Sequence, residues 1–278
     1  MTNERVITMF RRFFALVYDR INQPAETAGL SQERQKLLAQ ASGETIEIGA
    51  GTGLNLAYYP AAVTRLVLTE PDRHMARRLR RRVAANRPDA EVLDAAAAQL
   101  PFPDASFDTA VVTFVLCSVP APGAALTEIA RVLRPGGRLL FAEHVRSEDS
   151  AVAARQDRRP LPYKLMGCHP NRATLDTITA SPLHVEDVRH GEVPKVPVTE
   201  RPMIIGTAPP LPGWLRRRRH AARACSRPAR SRCLLPATGH IPVSNEPDSA
   251  IVQFSPTHEL RQVEAVIMKN LQATQLQQ

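Results

Sequence analysis

Apolar residues along this chain fall into short, β-branched runs separated by longer stretches with helical spacing. The runs near 45–49, 65–70, 90–93, 108–116, 137–145, 183–190 and 201–207 have the length of strands. The run 109–116 lacks polar alternation, as expected of a strand buried on both faces. Between the runs the period changes. Phe10, Phe13, Phe14, Val17 and Tyr18 recur at the spacing of an amphipathic helix over about residues 5–19. A second helix is expected over 25–41, and a third runs from the cap residue Asp72 to about Asn86. Alternation of strand and helix predicts right-handed crossovers and an α/β fold. Its sheet is mainly parallel, with helices on both faces.

The first strand leads into the chemistry. Thr45-Ile46-Glu47-Ile48 ends in Gly49-Ala50-Gly51-Thr52-Gly53. Glycines there can take positive φ and let the main chain approach a ligand that a side chain would hold off. A helix over about 54–59 would then point its first N–H groups at that ligand. The second run, Leu66 to Thr69, closes on Glu70, seventeen residues after Gly53. A carboxylate at that place can accept from both hydroxyls of a ribose. The spacing is G-x-G-x-G rather than the dinucleotide G-x-G-x-x-G, with Leu54 in the last slot. An NAD-linked dehydrogenase therefore stays open as an alternative at this point.

Three further landmarks follow in order: Leu100-Pro101-Phe102, the strand 109–116, and Arg134-Pro135-Gly136-Gly137. Together with the glycine loop and Glu70 they resemble the class I S-adenosylmethionine-dependent methyltransferases. Phe114-Val115-Leu116-Cys117-Ser118-Val119, Phe141-Ala142-Glu143-His144-Val145 and Gly167-Cys168-His169-Pro170-Asn171-Arg172 are similar to the thiol methyltransferases of the methyltransferase-like group and their small bacterial relatives. The resemblance spans about 11–208 and implies a Rossmann-like sheet of seven strands, the last antiparallel, with S-adenosylmethionine as cofactor. It places Glu47, Gly49, Ala50, Gly51 and Gly53 at the methionine part and Glu70 at ribose, with Asp94, Ala97 and Ala98 the candidates near adenine and Pro71 and Val115 further cofactor-binding candidates. Asp94 would accept from the adenine amino group, although relatives carry their acid closer to L-P-F.

The acceptor implied is small and apolar, a thiol first and a phenol or quinol second. His144 is the candidate base, and Tyr18, Cys117, Ser118 and His169 are candidates for the acceptor pocket. Glu143 and His144 alternate across their strand, so only one can face the cofactor. The N/D-P-P-Y/F tetrapeptide of adenine-methylating enzymes does not follow the fourth strand, which argues against that target.

Composition divides the chain. The total charge is +9, but residues 209–240 hold eight Arg and no acid, and residues 241–278 contribute −2, leaving +3 for residues 1–208. The expected organisation is a helical cap over 1–42, a methyltransferase domain over 43–208, and a disordered basic tail over 209–278. A short helix near 258–272 is expected within that tail. Weak contacts with nucleic acid or anionic lipid would fall to the tail. A non-catalytic module tethered by it is the second alternative reading. The four cysteines form no C-x-x-C pair, so no metal centre is expected, and the adjacent Cys168-His169 lacks the spacing of a four-ligand site. With no apolar run long enough to span a bilayer and no signal peptide, the expected location is the cytoplasm.

Overall fold

The computed structural model describes residues 3–158 and 167–211, with side chains from residue 8 onward. The expected tail helix and most of the basic segment lie outside these residues.

A long helix, α1 (Asn3–Ala25), continues through a π turn (Glu26–Leu30) into α2 (Ser31–Leu38). The two helices expected from sequence are therefore one bent rod with Gly29 at the kink, where φ is 127°. The strands and helices that follow are β1 (Gly43–Ile48), β2 (Val63–Thr69), α3 (Arg73–Asn86), β3 (Glu91–Leu93), β4 (Phe107–Thr113), α4 (Pro122–Val132), β5 (Leu133–His144), α5 (Ser150–Arg158), α6 (Thr174–Thr179), β6 (Asp187–Glu192) and β7 (Pro202–Ala208).

The seven strands form one sheet in the order β3-β2-β1-β4-β5-β7-β6. The first five positions are parallel, and β7 runs antiparallel to both of its neighbours. Alternate residues feed two cores. Ile46, Val67, Ala110, Val112, Leu139 and Phe141 pack with Leu126 and Ile129 of α4 on one face. Leu66, Leu68, Val111 and Leu140 pack with Leu37 and Leu38 of α2 and Leu79 and Val83 of α3 on the other. Burying each large side chain of this kind contributes about 1.5–3 kcal/mol, so the sheet is fixed from both sides.

Strand order reverses between β1 and β4, which makes their carboxyl ends the crevice where such sheets take ligands. Asp72 caps α3 beside that crevice, accepting from the N–H groups of His74 at 2.8 Å and Met75 at 3.1 Å. A cap of this type contributes about 1 kcal/mol. The helix expected after the glycine loop is instead one 3-10 turn, Leu56–Tyr58. Tyr59 is already extended at φ −69° and ψ 123°, because Pro60 crowds the residue before it out of the helical region.

Candidate active site

At the end of β1 the chain turns through Gly49, Gly51 and Gly53, at φ 68°, 59° and 86°. Two of these glycines do different work. A Cβ on Gly49 would come within 2.8 Å of Val115 Cγ2, so the loop after β4 can lie on the main chain only because nothing projects there. A Cβ on Gly51 would meet nothing within 4 Å, which leaves open space against bare backbone.

Glu70 joins this loop to the end of β2. Its Oε2 accepts from Gly51 N–H and its Oε1 from Asp72 N–H, both at 2.8 Å. Burial pushes its pKa up, against those two N–H donors, and the charges of Asp72 and Asp94 add to the rise. Each carboxylate oxygen has a second acceptor position. Two vicinal hydroxyls need two such positions, so the residues present fit a ribose placed over Gly51.

Glu47 lies under the loop. It is 2% exposed, accepts from Asn55 Nδ2 at 2.8 Å and from the Tyr59 hydroxyl at 2.7 Å, and is pushed up to about 7 by burial despite those bonds. It thus ties the glycine loop to the 3-10 turn. Arg34 enters from α2 at 5% exposure, donating to Glu26 Oε1 and Asn55 Oδ1 at 2.9 Å and to Thr113 Oγ1 at 3.2 Å, with its guanidinium 5.4 Å from the Phe114 ring centroid.

Helix α1 closes the rim. Asp19 accepts from the Thr52 hydroxyl and from Arg78 at 3.0 Å and Arg82 at 2.7 Å, and these donors hold its carboxyl below the usual range although burial opposes them. Tyr18 is pushed up to about 12 by burial, with Cys117 and Glu70 adding to the rise against Arg34. The resulting cleft, of about 260 Å³ with the solvent at its mouth included, is lined by Tyr18, Arg34, Glu47, Gly49, Gly51 and Thr113, among others.

Arg34, Asp19, Asn55 and Thr113 were not singled out from sequence. The signal for Arg34 was present: it sits on the stripe Leu30, Arg34, Leu37, Leu38, Ala41, where a charge at helical spacing among apolar residues marks a buried cation.

Other sequence candidates fall into two groups. Asp94 is exposed with its carboxylate 2.8 Å from Arg80, and its charge reaches Glu70. In the longer interval before Leu100, Ala97 is buried. Pro71 and Ala98 are exposed, and Ala50 and Val115 are buried against the loop.

Beyond β4 lies the second group. Phe114 takes φ 59°, and the following three N–H groups, of Val115, Leu116 and Cys117, all donate to Glu143 at 2.8, 2.9 and 3.2 Å. Glu143 is fully buried and pushed up to about 6 by that burial, with the three donors opposing. His144 points the other way, its ring 4.6 Å from that of Phe114 and its Nδ1 3.7 Å from Cys117 Sγ. Burial works against a charge on His144, but the hydrogen bond and charge of Cys117 outweigh it and raise the pKa. The Cys117 thiol is pushed well up by its bond to Cys168 and by burial. Ser118 Oγ lies 3.5 Å from Cys117 Sγ, and His169 N–H donates to Cys117 O at 2.8 Å. The structure thus gathers Cys117, Ser118, His144 and His169 at one end of the crevice and Glu47, Gly49, Gly51 and Glu70 at the other.

A glycine cradle beside a strand-end carboxylate thus lies at the switch point of this sheet. The family model described as "Methyltransferase domain" matches residues 46–141, from inside β1 to inside β5. The chain belongs to the class I S-adenosylmethionine-dependent methyltransferases, and S-adenosylmethionine is its cofactor. It is similar to thiol S-methyltransferase TMT1B of Homo sapiens, 35% identical over 133 residues, covering 44% of this chain and 54% of that protein. The Mus musculus TMT1B is 33% identical over 180 residues, covering 62% and 73%. A phosphatidylethanolamine N-methyltransferase of Cereibacter sphaeroides is 33% identical over 144 residues, covering 50% and 69%. Among solved structures, a SAM-dependent methyltransferase from Thermotoga maritima superposes with a TM-score of 0.54 at 22% identity, covering 73% of this chain and 99% of that one. The match spans just over half the length of the human and rat relatives, at 54% and 57%. These findings replace the dehydrogenase alternative. Among the described residues, no helix is long and apolar enough to cross a membrane.

Proposed function

We propose that this methyltransferase transfers the methyl group to a small apolar thiol. The observation that carries the reading is the acceptor end of the crevice, where Cys117, Cys168 and His144 present soft, sulfur-rich chemistry beside the donor cleft. The names of the TMT1B relatives point the same way.

Bound S-adenosylmethionine supplies an electrophilic methyl carbon on a sulfonium. The chain has then to hold the acceptor in line and keep water out, and orientation of that kind can lower a barrier by about 7–11 kcal/mol. We assign Glu70 to the ribose hydroxyls, the backbone of Gly49 to Gly53 to the methionine part, and Val115 with the 97–98 segment to adenine. Glu47 acts as a positioning residue, since both its oxygens already hold Asn55 and Tyr59. Tyr18 on α1 roofs the cleft, and Asp19 holds that roof on Thr52, Arg78 and Arg82. His144, Cys117, Ser118 and His169 form the acceptor end, and a thiol acceptor must reach its anion there because the thiolate is the nucleophile.

The test is incubation with labelled donor and a matched panel of alkyl and aryl thiols, phenols, quinols and phosphatidylethanolamine. Thiols are expected to be methylated with the highest kcat/KM. A phenol, quinol or amine that outpaces every thiol would overturn the assignment.

A further inference from the structure

Three side chains from three segments meet at the acceptor end. Cys117 Sγ lies 3.7 Å from His144 Nδ1, Cys168 Sγ lies 3.8 Å from the same nitrogen, and the two sulfurs are 3.9 Å apart. The three atoms therefore trace a nearly equilateral triangle. Tetrahedral zinc, with Zn–S about 2.3 Å and Zn–N about 2.0 Å, sets its ligand atoms about 3.8 Å apart between two sulfurs and about 3.6 Å apart between sulfur and nitrogen. The triangle thus matches one face of a zinc tetrahedron to within about 0.3 Å.

The scaffold holds this face in place from behind. Cys117 N–H donates to the buried Glu143, and Cys117 O accepts from His169 N–H, which stitches the two cysteine segments together. Arg172 donates to Leu116 O at 2.6 Å and to Val119 O at 2.7 Å, bracing the same loop. The His144 carbonyl accepts from Thr174 Oγ1 at 3.0 Å, and its ring rests on Phe114. Cys117 is buried, while Cys168 and His144 are half-buried among the described residues. Two thiolates and an imidazole select a thiophilic cation, and three protein ligands with an open fourth position are the pattern of a catalytic rather than a structural zinc.

We propose that Cys117, Cys168 and His144 form a zinc site whose open fourth position takes the sulfur of the acceptor thiol. The second half of this statement rests on the thiol reading above. The site is well placed for it: Cys117 lies two residues beyond Val115, which packs on Gly49, and Phe114 bridges His144 to Arg34 at the donor cleft. A thiol that coordinates zinc gives up its proton, here to water, and becomes a nucleophile at neutral pH. In the transfer a new S–CH3 bond forms from the thiolate's electron pair as the donor's C–S bond breaks. That bond's pair stays on the donor sulfur, cancelling its positive charge. His144 ligates through Nδ1 and is then not the base for the acceptor.

The full chain, reduced and stripped with a chelator, is titrated with Zn²⁺ against a chromophoric competitor and, separately, with Co²⁺ under an absorption spectrometer. One equivalent is expected to bind. The cobalt form should show a thiolate-to-metal charge-transfer band and tetrahedral ligand-field bands that shift when a thiol is added. Cys168→Ser and His144→Gln should each weaken zinc binding at least about a hundredfold, while S-adenosylhomocysteine binding stays within about twofold, showing that the fold survives. Absence of a stoichiometric ion, a spectrum without the charge-transfer band, or unchanged zinc affinity in Cys168→Ser overturns the site. Full-rate thiol methylation by the metal-free protein also overturns it and leaves the thiol reading standing. Cobalt bands that ignore added thiol, together with methylation of phenols or quinols alone, overturn both.

Discussion

The two ends of the crevice are built on different principles. The donor end is held by short, strong hydrogen bonds: Glu70 to Gly51 and Asp72 at 2.8 Å, Glu47 to Asn55 and Tyr59 at 2.8 and 2.7 Å. The acceptor end is held together by sulfur contacts of 3.5–3.9 Å between side chains whose backbones are braced from outside. Under the proposed assignment the first end recognises one shape with main chain and carboxylates, and the second offers soft ligand atoms to a metal ion.

Disturbing the donor end should have the largest effect. In Gly49→Ala the residue must hold φ 68° and its methyl group must share space with Val115 Cγ2. The left-handed conformation costs about 1–2 kcal/mol and the overlap about 1–3 kcal/mol more. The variant loop sheds this strain by leaving the cradle geometry and must recover about 2 kcal/mol of it on binding, so S-adenosylhomocysteine affinity measured by calorimetry should fall about thirtyfold. Unchanged affinity would mean that the loop is not the donor cradle.

Next in size is a pH effect. Glu47 folds with its pKa raised from an ordinary 4.5 to about 7, so its contribution to stability is fully present below about pH 4.5 and is lost as pH rises through 7. The difference amounts to about 3 kcal/mol. Urea unfolding at pH 5 and pH 8 should show wild type losing more stability at the higher pH than Glu47→Gln does. Glu143, raised to about 6, adds a smaller change of the same sign and remains in the Glu47→Gln variant. Equal losses in the two proteins would contradict the buried, reluctantly ionised Glu47.

The smallest expected effect is at Asp94. Its ion pair with Arg80 is exposed, and such pairs contribute about 0–1 kcal/mol. Asp94→Ala should change donor affinity less than about threefold in the same calorimetric assay. A tenfold loss would return Asp94 to the adenine site.

The same contrast explains what could be read from the sequence. The donor end is local: the glycine loop follows β1 directly, Glu70 closes the next strand, and Asp72 caps the next helix. Hydrophobic runs also located the central strands β1, β2, β4, β5 and β7, which are largely buried, whereas the edge strand β6 is polar and exposed and lies at Asp187–Glu192 rather than 183–190. Tertiary crowding set the rest. Pro60 shortened the expected helix after the loop to a single turn, and α1 ran on through a π turn instead of stopping. The Cys117–His144–Cys168 triangle is assembled from residues 24 to 51 positions apart, so no spacing rule for metal ligands could find it. The adjacent Cys168-His169 lacks the spacing of a ligand set, and the imidazole that meets Cys168 is that of His144, at the end of β5. Arg34 was not singled out, because its burial at 5% exposure depends on contacts with Glu26, Asn55 and Thr113 that span up to 79 positions.

Titrating wild type, Glu70→Ala and Cys168→Ser side by side with S-adenosylhomocysteine in a calorimeter separates the two ends of the crevice. Removing Glu70 takes away charged hydrogen bonds worth about 1.5–3 kcal/mol each, so its variant should bind at least about tenfold more weakly. Cys168→Ser, altered only at the acceptor end, should bind like wild type. Equal affinity in all three proteins, or a loss in Cys168→Ser as large as that in Glu70→Ala, would contradict the division of the crevice into a donor end and an acceptor end.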